Sequence, residues 1–136
     1  MGKERQPEPQ GQAEPRLKIL DVVAISNAFD SYTWGDPGVS LAQLRDDYKE
    51  VAQLTGKKNK SPWRTDPLQV ARCLILGVDP NTGADIPNPD AYVAEFSQYR
   101  EPDANADVKM YYERFKGHPR IQQDRPQILP TEPPGV

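Results

Sequence analysis

The sequence predicts a mainly α-helical fold, a small irregular bundle of four or five short helices carrying extended Pro-rich N- and C-terminal tails. Three observations lead there. Apolar residues recur at helical spacing in several segments. Ser, Asp, Asn and Pro stand where such segments begin. Both ends of the chain are rich in proline and poor in large apolar side chains.

Residues 1–15, MGKERQPEPQGQAEP, hold three prolines and no large apolar residue after the initiator. A stretch like that cannot bury enough surface to offset the entropy of ordering, and it reads as a disordered or extended N-terminal tail. Residues 16–118 read as a single helical domain. Its first segment, RLKILDVVAISNAF (Arg16 to Phe29), is apolar on nearly all sides and too long for a strand, which predicts a buried helix. Its β-branched content leaves a strand pair as the lesser alternative. Gly35, Pro37 and Gly38 in SYTWGDPG then break regular structure.

The second segment is the clearest. Ser40 caps LAQLRDDYKEVAQLT, and Gln43 three residues later completes a capping-box pattern. Leu41, Leu44, Tyr48 and Val51 recur on one face, Asp46, Asp47, Lys49 and Glu50 face water, and Gly56 is placed to close the helix. The third segment, DPLQVARCLILG, has Asp66 as N-cap, Pro67 at the first helical position and Gly77 as terminator. It is apolar almost all round and predicts the centre of the core. A fourth helix starts at Asn88 or Pro89 and buries Tyr92, Phe96 and Tyr99. The fifth, after Pro102, carries Ala104, Val108, Tyr111 and Phe115 on one stripe, which leaves Tyr112 off it and facing outward. Residues 119–136, PRIQQDRPQILPTEPPGV, hold five prolines and read as an extended C-terminal tail.

The chain has 136 residues and a formal charge of −3, which sets aside a strongly basic nucleic-acid binder. Charge is unevenly placed: Lys57, Lys58, Lys60, Arg64 and Arg72 against Asp66 give +4 over residues 57–72. Asp79, Asp85, Asp90, Glu95, Glu101, Asp103 and Asp107 against Arg100 give −6 over residues 79–107. The two stretches either neutralise each other in the fold, the preferred reading, or orient the molecule toward a charged partner.

No catalytic, metal or cofactor motif is expected. Cys73 reads as a small buried hydrophobe, and the single histidine, His118, lies beyond the last expected helix. DPNTGADIPNPD places Asp79, Asn81, Gly83, Asp85 and Asp90 at calcium-loop positions, but Ala84 stands where glycine is needed and Asp90 where a bidentate Glu is usual. A chain-reversing turn explains DPNTG better. A helix-turn-helix is opposed by the ten residues from Gly56 to Thr65 and by a second helix too apolar to read a groove.

The remaining clue is a set of aromatic, basic and tail residues. Trp34 and Trp63 fall in loop sequences, where each either plugs the edge of the core or anchors a partner; Trp, Tyr and Arg dominate interface hot spots. The candidate partner-binding residues are Trp34, Lys57, Lys58, Lys60, Trp63, Arg64, Tyr112, Ile121, Ile128 and Leu129, the last three as anchors of a tail that laces onto neighbours. The expected function is a noncatalytic structural or assembly subunit working by protein–protein contact in a larger complex, a phage virion among the candidates. The alternative is a nucleic-acid-associated accessory protein using the basic 57–64 loop. With no secretory signal, no myristoylation pattern (Gln6 replaces Ser or Thr) and no apolar run of membrane-spanning length, the expected location is cytoplasmic or inside a particle, without membrane insertion.

Overall fold

The computed structural model describes residues 21–56 and 61–129. They form six α-helices: α1 (Val22–Thr33), α2 (Leu41–Gly56), α3 (Pro67–Ile75), α4 (Pro89–Ala94), α5 (Pro102–Lys116) and α6 (Pro119–Ile128), with a 3₁₀ turn over Pro62–Thr65 ahead of α3. The class is mainly α-helical, as expected. Among the described residues, β pairing is confined to one antiparallel bridge between Val78 and Asp85. Residues 1–20, 57–60 and 130–136 lie outside the described residues, and with them the whole predicted N-terminal tail and the last seven residues of the C-terminal one.

Proline marks the starts of these elements. Pro62, Pro67, Pro89, Pro102 and Pro119 each occupy the first position of the 3₁₀ turn, α3, α4, α5 and α6. The missing N–H costs nothing there, and the fixed φ suits a helix. Side-chain caps satisfy the exposed amides that follow. Asp66 Oδ1 accepts from Leu68 N at 3.0 Å, Asn88 Oδ1 from Ala91 N at 3.2 Å, and Ser40 Oγ from Gln43 N at 3.1 Å. The capping box at Ser40 is only half made, because the Gln43 amide donates to Asp47 Oδ1 at 2.9 Å instead of turning back.

Helix α3 is the centre. Val70, Ala71, Cys73, Leu74, Ile75 and Leu76 are fully buried, and α5 lies against α3 most extensively. Two polar residues share this interior. Arg72 Nη2 meets Asp30 Oδ1 of α1 at 2.5 Å, its Nη1 donates to Ser26 Oγ at 3.0 Å, and its guanidinium lies 4.8 Å from the centre of the Phe29 ring. Gln69 accepts from Tyr48 OH at 3.0 Å and donates to Ser26 Oγ. Buried charge is tolerable only when partnered, and this network joins α1, α2 and α3 through Gln69 and Arg72. Arg72, counted in sequence with the basic 57–72 stretch, is therefore an interior tie.

Three expectations are corrected. The first segment is not buried all round: α1 buries Ile25, Phe29 and Tyr32 on one stripe and exposes Val23. It also runs on to Thr33, because Tyr32 continues the inward stripe one turn beyond Phe29. The supposed extended tail is helical from Pro119 to Ile128. His118 caps it, its Nδ1 accepting from Arg120 N at 3.1 Å, and Ile121 enters the core. Finally, the fourth helix is short, ending at Ala94, with Phe96 and Tyr99 placed by the loop that follows.

Candidate functional site

Proline and a 3₁₀ turn fix the first tryptophan to be considered. After Pro62 the turn swings Trp63 inward to full burial, stacked on Tyr48 with ring centres 4.5 Å apart. Its Nε1 donates to Tyr48 O at 3.0 Å, which satisfies the only polar atom of the indole. Trp63 is thus a core plug and is corrected as a partner-binding residue. Beside it, the Arg64 carbonyl accepts from Gln98 Nε2 and from Tyr99 OH, each at 2.9 Å, so this end of the basic stretch is fastened to the α4–α5 loop. Burial pushes the Tyr99 phenol up to about 12. Lys57, Lys58 and Lys60 lie outside the described residues.

Tyr112 is also corrected. It sits one turn after Val108 on the inward face of α5, almost wholly buried. Its hydroxyl donates to Asp90 Oδ1 and accepts from Arg125 Nη2 at 2.7 Å. Burial, and then the Asp90 hydrogen bond, push the phenol well above its ordinary range. Packing on α3 sets which face of α5 turns inward, and Asp90 of α4 and Arg125 of α6 close over the Tyr112 hydroxyl.

Helix α6 accounts for the three tail anchors as well. Ile121 is buried, while Ile128 and Leu129 are half-buried, with Ile128 packed against the core. Ile121 and Ile128 hold α6 to its own chain, and their assignment to a neighbour's surface is withdrawn, while Leu129 lines a depression beside Arg125 and Pro126. Two arginines complete the attachment by reaching carbonyls at the ends of other helices. Arg125 Nε donates to Ile75 O at 2.8 Å, where α3 ends. Arg120 donates from Nη1 to Tyr32 O at 2.7 Å and Asp36 O at 2.8 Å, and from Nη2 to Val39 O at 3.0 Å, with its guanidinium 4.0 Å from the Tyr32 ring centre. His118 Nε2 donates to Thr33 O at 2.8 Å in the same region.

These contacts converge on the turn that carries the second tryptophan. Trp34 caps the C-terminus of α1, its N–H donating to Asp30 O at 3.0 Å, and Gly35 at φ +101° then reverses the chain. The Asp36 carboxylate closes the turn on Gly38 N at 2.8 Å. Backbone on both sides of Trp34 is therefore braced by Arg120 from within, while the indole itself is 87% exposed. Val23 is 68% exposed three turns earlier on the same side of α1. Next to this face lies a groove of about 590 Å³ between α1 and α2, lined by Ala24, Ala28, Gly38, Val39, Gln43 and Leu44 among others. A larger depression of about 840 Å³ lies over the loop and short helix of 86–98, where the Tyr92 and Phe96 rings meet tilted at 50°.

The carboxylates of the suspected calcium loop serve three separate tasks. Asp79 Oδ1 accepts from Asn81 N at 2.8 Å and Thr82 N at 3.3 Å, which makes DPNTG the chain-reversing turn expected. Asp85 Oδ1 takes Arg45 and Lys49 of α2, both at 2.5 Å. Asp90 takes Tyr112, Lys116 and Arg125. Lys49 first, and then Arg45, hold the Asp85 carboxyl below the ordinary carboxylate range, and the Tyr112 hydroxyl does the same for Asp90. The acidic 79–107 stretch is thus neutralised in part by cations from α2, α5 and α6. Cys73 is fully buried, and its thiol is pushed well up by desolvation.

Among the described residues, Trp34 is the most exposed of the sequence candidates, and it stands on a braced turn beside exposed Val23. No helix among the described residues is long and apolar enough to cross a membrane. Comparison with known proteins finds no matching family model, curated protein or solved structure.

Proposed function

We propose that this protein is a noncatalytic structural or assembly subunit that works through protein–protein contacts in a larger complex, with an assembled particle such as a virion as its setting. The observation that carries the reading is Trp34, 87% exposed on a turn held by three guanidinium–carbonyl hydrogen bonds. A large aromatic side chain in water forgoes the burial that stabilises it elsewhere, and a rigid backbone lowers the entropy cost of using it as an anchor. The noncatalytic part rests on where the reactive groups go. Cys73 is enclosed, both His118 nitrogens hold backbone groups, and the buried tyrosines are committed to Asp124, Gln69 and Asp90.

The test is affinity recovery of the native complex with full-length protein and with Trp34→Ala. Recovery of defined partners by the first and their loss with the second is the expected result; equal recovery removes Trp34 from the interface. The same preparations separate the nucleic-acid reading. A Lys57→Glu, Lys58→Glu variant that keeps its protein partners and loses retention on a nucleic-acid column would move the function to the basic loop, and that retention would weaken steeply with salt.

A further inference from the structure

Asp21 divides the apolar segment RLKILDVVAISNAF. Its backbone is extended, at φ −93° and ψ 94°, and its carboxylate accepts from Ala24 N at 3.1 Å. Helix α1 therefore begins at Val22, and the chain reaches it at an angle. With such a cap, the residue before it and the fourth residue of the helix are neighbours, and an apolar pair there staples the incoming chain to the helix. In this chain those two residues are Leu20 and Ile25. Ile25 also lines the groove of about 590 Å³ between α1 and α2. That lining combines the small residues Ala24, Ala28 and Gly38 with the aliphatic Val39 and Leu44, and Asp47 is its charged member.

One segment outside the described residues matches this chemistry. Residues 1–15 carry no large apolar side chain after Met1, and their two cations face three glutamates. Residues 57–60 are three lysines and an asparagine, and residues 130–136 offer Val136 beside Glu132. By contrast, RLKIL at Arg16 to Leu20 brings Leu17, Ile19 and Leu20 together with two cations and no acid. It also ends next to Asp21, at the mouth of the groove. Extended at about 3.3 Å per residue, it spans about 16 Å, more than the roughly 6 Å along α1 from Ala24 to Ala28. We propose that residues 16–20 form a strap that folds back over the α1–α2 groove. Leu20 rests on Ile25, Leu17 reaches toward Ala28 and Val39, and Lys18 joins Gln43 at the Asp47 carboxylate. The strap ties α1 to α2 and closes the groove beside the Trp34 turn. This contact is made within one chain, whatever protein Trp34 meets.

Paramagnetic broadening in the full-length protein tests the strap. Pro15→Cys accepts a nitroxide label, and fully buried Cys73 does not. The expected result is loss of the Ala28, Gly38 and Gln43 amide signals, unchanged on dilution. Those signals should return when Leu17→Ser and Leu20→Ser are added, while the near-ultraviolet signal of buried Trp63 reports an intact body. Unaffected groove signals overturn the proposal. Broadening that survives the two serines does so too, since a segment merely nearby needs no leucine anchors. Labelled chains mixed with isotope-enriched, unlabelled chains give the last arm: broadening carried between chains puts a second copy's segment in the groove and overturns the strap. Trp34→Ala should leave the pattern unchanged, so failure of the strap and failure of Trp34 as a contact are read separately.

Discussion

The two tryptophans of this chain have opposite fates. Both follow a turn-forming context, SYTWGDPG and KSPWRTDP, and neither falls on a helix stripe. Trp63 is fully buried, and Trp34 is 87% exposed. The cause is local: Pro62 starts a 3₁₀ turn that tips Trp63 onto Tyr48, whereas Trp34 ends a helix and Gly35 carries the chain away from the core. One indole belongs to the fold, and the other is held at the surface by a turn as well tied as the core.

The largest effect expected from breaking this comparison is on the buried side. Trp63→Ala removes a stacked ring and its hydrogen bond, so denaturant unfolding should show a loss of about 3–5 kcal/mol, or no folded protein. Next comes the brace. Arg120→Ala leaves three carbonyls without their charged donor and removes the contact with the Tyr32 ring, an expected loss of about 2–3 kcal/mol by the same measurement. In that variant amide exchange should quicken at Asp36 and Val39, and not in α3. If it stays slow, the turn is held by its own backbone bonds and Trp34 is not braced from within.

Acid should act on the Trp63 side. Asp85 holds the 78–85 hairpin to α2, the helix that carries Tyr48, and its carboxyl sits below the ordinary carboxylate range in the folded state. A depressed folded value contributes stability that is present above the unfolded value of about 4 and lost as pH falls through the folded one. Asp90 adds in the same direction. Both are well exposed, so the effect is modest; Asp85→Asn should flatten the acid limb of a stability–pH curve by lowering its neutral plateau slightly while leaving the acid end unmoved. Smallest of all is Trp34→Ala, expected to change monomer stability by no more than about 0.5 kcal/mol while weakening association.

Much of this was legible where the chemistry is local. Ser40, Asp66–Pro67, Asn88–Pro89 and Pro102 each mark a helix start because capping depends on the next two or three residues only. The apolar run of α3 identified the core. Helix α6 was hidden although His118–Pro119 repeats the same start pattern, because its Gln, Arg and Pro content resembles a tail. Its attachments are long-range, Arg125 to Ile75 and Arg120 to Tyr32, and no periodicity in residues 119–128 announces them. Tyr112 turns inward for a related reason: which side of α5 is buried is set by its packing on α3, a contact between distant parts of the chain. Between the tryptophans the sequence offered no choice, since burial of Trp63 comes from stacking on a residue fifteen positions away.

The central claim, that Trp34 is the working indole and Trp63 the structural one, is tested most directly by fluorine NMR of protein labelled with 5-fluorotryptophan. Each tryptophan then gives its own resonance, assigned by Trp34→Phe. As recovered partner is added, the account predicts that the Trp34 resonance shifts or broadens while that of Trp63 stays fixed. A stationary Trp34, or movement confined to Trp63, would contradict it.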